Sequence, residues 1–254
     1  MKTIFFLLLL LFSLLLSAQE NPENSIRPKN NILKTNLTSI PFRNYQLTYE
    51  RALGKRFSVV ATYAMMPEGK IPLLTKFVDD EDLEDIQNPD DIQLKSNAIT
   101  IETRLYMGKG YGRGFYLAPY YRYSSYEINN LTIDYPISLE NQEEYNIPLE
   151  ISGESSSNNV GLMIGVQTAL GKKENWVIDA QILGAHYGTA KGNLHGIPPR
   201  DLSPEEQEII LQDIRELDIP LIEYDVTVND KGANITLDGP WAGLRFAIAL
   251  GYRF

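Results

Sequence analysis

The chain has no cysteine, which excludes disulfides, thiol catalysis, thiolate metal sites and a lipidated N-terminal cysteine. Cations are in short supply as well. Against 33 aspartates and glutamates stand 23 lysines and arginines, a formal net charge of −10. That balance disfavours nucleic acid as a partner and offers no polybasic anchor to a membrane. Past the N-terminus no stretch approaches 18 consecutive apolar residues, so no helical membrane span is expected. Histidine is limited to His186 and His195.

The first residues differ from the rest. Lys2 precedes an apolar run from Ile4 to Leu16, followed by Ser17 and Ala18. The run is too short to cross a bilayer and has the flanks of a secretory signal, so residues 1–18 are predicted to be a signal peptide cleaved after Ala18. Residues 19–30 read as a polar leader, and residues 31–254 as the body of the protein.

The body is built on alternation. In its closing stretch, PWAGLRFAIALGYRF, Leu244, Phe246, Ile248, Leu250, Tyr252 and Phe254 share one face, and small residues or arginines take the other. Eight segments read as strands: Asn31 to Ile40, Arg43 to Leu53, Arg56 to Met66, Lys95 to Met107, Phe115 to Ile128, Asn158 to Leu170, Asn175 to Tyr187 and Trp241 to Phe254. Each is long enough for a tilted membrane strand, which needs about 9 to 11 residues.

Connection lengths alternate too. LGKR, GKGYGRG and GKKEN are short, whereas residues 67–94, 129–157 and 188–240 form long links; the first connection, IPFRN, is also short. Short turns on one rim and long loops on the other are the asymmetry of an outer-membrane barrel. GKGYGRG joins two strands and opens no helix, so it reads as a turn rather than a phosphate cradle. The predicted fold is all-β: an eight-stranded antiparallel transmembrane β-barrel of a Gram-negative outer membrane, monomeric, with residues 19–30 periplasmic. Phe246, Ile248, Leu250, Tyr252 and Phe254 make the last strand resemble the signal read by the outer-membrane barrel assembly machinery.

Parity assigns the faces. In the fourth segment Ile99, Ile101, Thr103, Leu105 and Met107 alternate with Ala98, Thr100, Glu102, Arg104 and Tyr106. In the sixth, Val160, Leu162, Ile164, Val166 and Thr168 alternate with Asn159, Gly161, Met163, Gly165 and Gln167. The first set of each is predicted to face lipid. Tyr45, Phe57, Tyr63, Phe115, Tyr123, Trp176, Tyr252 and Phe254 share that parity near strand ends, as interfacial girdles require. The opposite parity holds Lys34, Glu50, Glu102, Arg104, Arg122, Asp179 and Arg245. Unpaired, these charges would be costly in a narrow barrel, so a hydrogen-bonded network is expected. Arg122 and Arg245 fall toward its outer half. Eight strands enclose little beyond their own side chains, which predicts a plugged interior and no general pore.

The long links carry the remaining signals. In DLSPEEQEIILQDIRELD, Ser203 suits an N-cap, Pro204 the first helical position and Glu206 a capping box, with Ile210, Ile214 and Leu217 on one face, so a short amphipathic helix is expected. The run FVDDEDLEDIQNPDD lacks the glycine and spacing of a calcium loop and reads as a solvated acidic loop. His186 and His195, with Asp201 and Ser203, are candidates for a hydrolytic or acyl-transfer site acting on lipid or peptide, although no nucleophile elbow accompanies them. The alternative is a pair of rim histidines. The sequons at Asn36, Asn130 and Asn234 are chance matches in a bacterial chain. No metal and no cofactor is expected.

The segment NILKTNLTSIPFRNYQLTYERALGKRFSVVATYAMMP brings together Lys34 to Leu37, Asn44, Glu50 and the turn Leu53 to Ser58. It resembles the opening of a family of Bacteroidota outer-membrane proteins known as domain of unknown function 3575. The resemblance covers about the first three strands and implies location and fold, with no activity to transfer. The functional expectation is a non-enzymatic small barrel, structural in the envelope or presenting its acidic loops to an unknown extracellular partner. A barrel enzyme and a soluble periplasmic ligand-binding barrel are the alternatives.

Overall fold

The computed structural model describes residues 29–72, 86–108, 110–139, 144–217 and 221–254. The predicted signal peptide and most of the acidic run at 77–91 lie outside these residues. Among the described residues are ten strands: β1 (Asn31–Asn36), β2 (Tyr45–Ala52), β3 (Phe57–Met66), β4 (Ile86–Gln87), β5 (Gln93–Met107), β6 (Gly114–Ile137), β7 (Tyr145–Leu170), β8 (Trp176–Ile197), β9 (Glu223–Asn229) and β10 (Gly232–Arg253). Eight of them close an antiparallel ring in the order β1-β2-β3-β5-β6-β7-β8-β10, sealed where Leu33 pairs Tyr252 and Thr35 pairs Leu250. The β1–β10 seam is closed from Ile32–Arg253 to Asn36–Ala249, and beyond Ala249 β10 runs on past the end of β1. Outside it, β4 adds to β6 and β9 to β10.

The outward face carries the apolar residues of the alternation. Leu47, Ile99, Ile101, Leu162, Val166, Leu244, Phe246 and Ile248 are all exposed, flanked by Tyr45, Tyr63, Phe115, Tyr123, Trp176, Tyr252 and Phe254. Trp176 and Tyr252 meet edge to face, with ring centroids 5.6 Å apart, beside the short turns. This is the inside-out distribution of a transmembrane barrel, in which lipid rather than a core covers the apolar side chains.

Several boundaries differ from the sequence reading. β1 stops at Asn36, and Ile40–Phe42 form a 3-10 turn closed by Arg43 in the left-handed region. More consequentially, much of the expected long loops is strand. β6 runs on to Ile137, β7 begins at Tyr145, β8 extends to Ile197, and β9 with β10 forms a hairpin. A bulge at Asn129 and Asn130, with Asn130 at φ 58°, re-aims β6 as it leaves the apolar belt.

These extensions support a distal lobe. Helix α1 (Pro204–Glu216) lies over them and buries Ile210 with Ile137, Ile147, Leu149 and Leu202. Its start is built as expected. The Ser203 hydroxyl accepts from the Glu206 N–H at 3.2 Å, and the Glu206 carboxylate accepts from the Ser203 N–H at 2.7 Å. Among the described residues no helix is long and apolar enough to cross a membrane.

Candidate functional site in the barrel interior

Alternation that sends leucines outward sends charge inward. Lys34 on β1, Glu50 on β2, Glu102 and Arg104 on β5 and Asp179 on β8 are each at most 2% exposed. Their ladders bring them together. Lys34 Nζ donates to Glu50 at 2.7 Å, to Asp179 at 2.6 Å and to Gln167 at 2.8 Å. Arg104 donates to Asp179 at 2.6 Å and, through Nε and Nη2, to Glu102 at 3.1 and 3.0 Å. Each charge therefore has a counter-charge, the condition under which burial of ions is tolerated.

Neutral side chains complete the network. Tyr106 and Ser58 each donate to Glu50 at 2.7 Å, Tyr116 donates to Asp179 at 2.8 Å, and the Tyr116 ring lies 4.2 Å from the Arg104 guanidinium. Room for these rings comes from the facing strands. A Cβ at Gly161 would come within 2.5 Å of the Tyr120 ring, and one at Gly165 would overlap Tyr116. The short-turn end is closed further by the 108–114 turn, whose Gly112 carbonyl accepts from Gln167 at 2.7 Å and from Arg253 at 3.0 Å. This half of the lumen is a packed plug.

Arg122 and Arg245 stand farther along, in the half that leads to the lobe. Arg122 donates to the Thr100 hydroxyl at 3.0 Å. Arg245 stacks 4.7 Å above Tyr120, and its nearest carboxylate oxygen is Glu102 Oε1 at 3.6 Å. Parity assigns Tyr106 and Gln167 the inward face but no place in the network, and Tyr116, Ser58 and Arg253 are not singled out in the sequence; the neutral residues give no charge signal, whereas the charge and inward parity of Arg253 could have found it.

The candidate hydrolytic set is not assembled. His186 faces inward, with Nδ1 3.0 Å from the Tyr120 hydroxyl. It does so because β8 carries an extra residue at Ile182 and Leu183, both exposed, which reverses the parity between Asp179 and His186. His195 is on the opposite face nine positions along the same strand, about 30 Å away. Ser203 is committed to the helix cap, and Asp201 pairs with Lys231 at 2.6 Å. No nucleophile, base and acid converge there.

In the lobe, Glu206 forms a second satisfied cluster. Arg200 holds both its oxygens, at 2.5 and 2.9 Å, and Tyr145 donates at 2.7 Å. The Arg200 bonds, together with the Ser203 N–H and Tyr145, hold the Glu206 carboxyl down at about 2 and raise the Arg200 guanidinium. The acidic loop residue Asp91 pairs with Lys70 at 2.8 Å, and no cluster of metal-ligating side chains occurs among the described residues.

No family model and no curated protein matches the sequence. Among solved structures the chain is similar to CarO of Acinetobacter baumannii, with 13% identity, a TM-score of 0.42, and 91% of this chain and 100% of that one covered. It is similar also to a major outer membrane protein of Thermus thermophilus, with 13% identity, a TM-score of 0.39, and 89% and 98% of the two chains covered.

Proposed function

We propose that the chain is a small non-enzymatic outer-membrane barrel whose lumen is plugged on the periplasmic side and whose distal lobe stands outside the cell, available to an extracellular partner. The observation that carries this reading is the combination of a closed eight-stranded ring, an apolar outer belt bounded by aromatics, and ion pairs inside. A soluble ligand-binding barrel would need a polar outer face, and Leu162, Phe246 and Ile248 stand where that face would be. The packed charges around Asp179 and Arg104 support a structural lumen and speak against a general pore. Lipid and the barrel assembly machinery are the partners this reading requires, and the opening segment from Lys34 to Ser58 supports a place among the domain of unknown function 3575 proteins.

Outer membranes are the place to test it. Extraction should require detergent, gel mobility should shift on boiling, and trypsin added to intact cells should cut within the lobe. Release by salt with no mobility shift would overturn the membrane reading, and protection of the lobe on intact cells would reverse the orientation.

A further inference from the structure

The lumen is filled unevenly. On the short-turn side of Tyr120, itself 4% exposed, the ion-paired side chains are at most 2% exposed. On the lobe side the inward-facing Arg122, His186 and Arg245 are half-buried, and Trp241, also inward, is 41% exposed. β10 pairs β1 only as far as Ala249, so Arg245 and Trp241 stand where that seam is open, beside the lobe-side mouth of the lumen. The distal half is therefore an open, blind vestibule with Tyr120 in its floor.

Charge is uneven as well. Among the described residues the inward-facing cations Lys34, Arg104, Arg122, Arg245 and Arg253 outnumber the inward-facing carboxylates Glu50, Glu102 and Asp179. Part of that surplus lies in the vestibule. Arg122 donates to a neutral hydroxyl, and it lies two residues along β6 from Tyr120, over whose ring Arg245 stacks. Glu102 gives Oε2 to Arg104, which leaves Oε1 at 3.6 Å as the nearest anion to Arg245. Arg245 Nη1 is buried without a hydrogen-bond partner, as is Asn159 Oδ1 on the facing strand. Lys34 and Arg104 each meet two or more carboxylates in the plug, whereas among the described residues Arg122 meets none and Arg245 meets one at 3.6 Å with a buried donor left over; Arg253, at the short-turn end, likewise keeps a buried Nε without a partner.

We propose that this vestibule binds a small oxyanion, a carboxylate or phosphate group held between the Arg122 and Arg245 guanidinium groups beside Tyr120 and His186. Two guanidinium forks match the oxygen pairs of such a group, and its charge complements theirs. The anion enters from solution at the lobe-side mouth of the barrel. Because Trp241 stacks near Tyr126 at 6.3 Å in the same space, it reports occupancy.

The experiment uses the full-length barrel folded in detergent and the Trp176→Phe variant, which leaves Trp241 as the single tryptophan. Inorganic phosphate is titrated at constant ionic strength while Trp241 emission is followed. A saturable change is expected, weakened about tenfold or more by Arg122→Gln and by Arg245→Gln, and largely kept by Arg122→Lys. Boiling-dependent gel mobility checks that each variant is folded. Should Arg245→Gln fail to fold, the two Arg122 variants decide. No saturable response, a response that follows ionic strength alone, or equal affinity in folded Arg122→Gln would overturn the proposal.

Discussion

Beneath the apolar belt, Arg104 and Asp179 are fully buried while Leu162 and Ile248 are about half exposed; in the distal lobe, Ile137 and Ile210 are the buried side chains. One chain thus buries opposite chemistries at the two ends of the same strands, β6 and β7. The solvent outside each region accounts for the difference. Lipid accepts leucine and isoleucine on the barrel's outer face, so the interior collects only a few apolar side chains such as Val60 and Met163 and fills for the rest with polar groups that bond one another. The lobe is surrounded by water and keeps the ordinary rule, with aliphatic residues beneath an amphipathic helix. Polar groups buried in both regions are held the same way. Glu206 in the lobe and Asp179 in the lumen each accept several charge-assisted hydrogen bonds.

The comparison breaks most severely at Asp179. Asp179→Ala leaves Lys34 and Arg104 each short of a counter-charge, and breaking such a buried pair costs about 3 to 5 kcal/mol. Urea titration of the detergent-folded barrel should show this loss, with little change in the lobe's protease resistance. In the lobe the corresponding change is Ile210→Ala, which opens a cavity under α1 and costs about 2 to 5 kcal/mol. Limited proteolysis should then release α1 while boiling-dependent mobility persists, separating the two cores. On the outer face, Leu162→Arg or Ile248→Arg costs about 2 to 4 kcal/mol near mid-bilayer. Insertion into vesicles should fail, and normal insertion of both would show that the faces are reversed.

Smaller effects sharpen the lobe side. Arg200 first, then the Ser203 N–H and Tyr145, hold Glu206 at about 2 in the folded lobe against an ordinary 4.5. A depressed carboxyl contributes stability that is fully present above about 4.5 and is lost as pH falls toward 2. Protease resistance of the lobe should decline across that window, and Glu206→Gln should remove the decline. Ser203→Ala, which deletes one half of the capping box, should weaken the lobe by about 1 kcal/mol.

The barrel was far more legible in the sequence than the lobe, for a physical reason. Inside the membrane each strand must place apolar residues outward and polar ones inward, so alternation in Ile99 to Met107 and Asn159 to Thr168 reveals both strand and face. Beyond the membrane the outward face is free to be polar. The stretch SGESSS of β7 shows no alternation and reads as a loop, yet its backbone pairs with β6 and β8 on both sides. The lobe's core was hidden because Ile137, Ile147, Leu149, Leu202 and Ile210 lie in separate segments joined only by the fold. Only α1 announced itself, through Ser203, Pro204 and Glu206. In the lumen the charged residues were legible by parity, whereas the facing of His186 depended on a bulge. Its one trace in the sequence is the pair of consecutive apolar residues Ile182 and Leu183.

In the proposed barrel lipid lies against the outer face of the ring and water fills its distal half. The two tryptophans stand on opposite sides of it, Trp176 outward beside Tyr252 and Trp241 inward beside Tyr126. Emission of Trp241→Phe and of Trp176→Phe in vesicles tests this directly, with brominated acyl chains as the lipid quencher and acrylamide as the aqueous one. The structure predicts that lipid quenches Trp176 and acrylamide quenches Trp241. Equal acrylamide quenching of both, with no effect of bromination on Trp176, would contradict it.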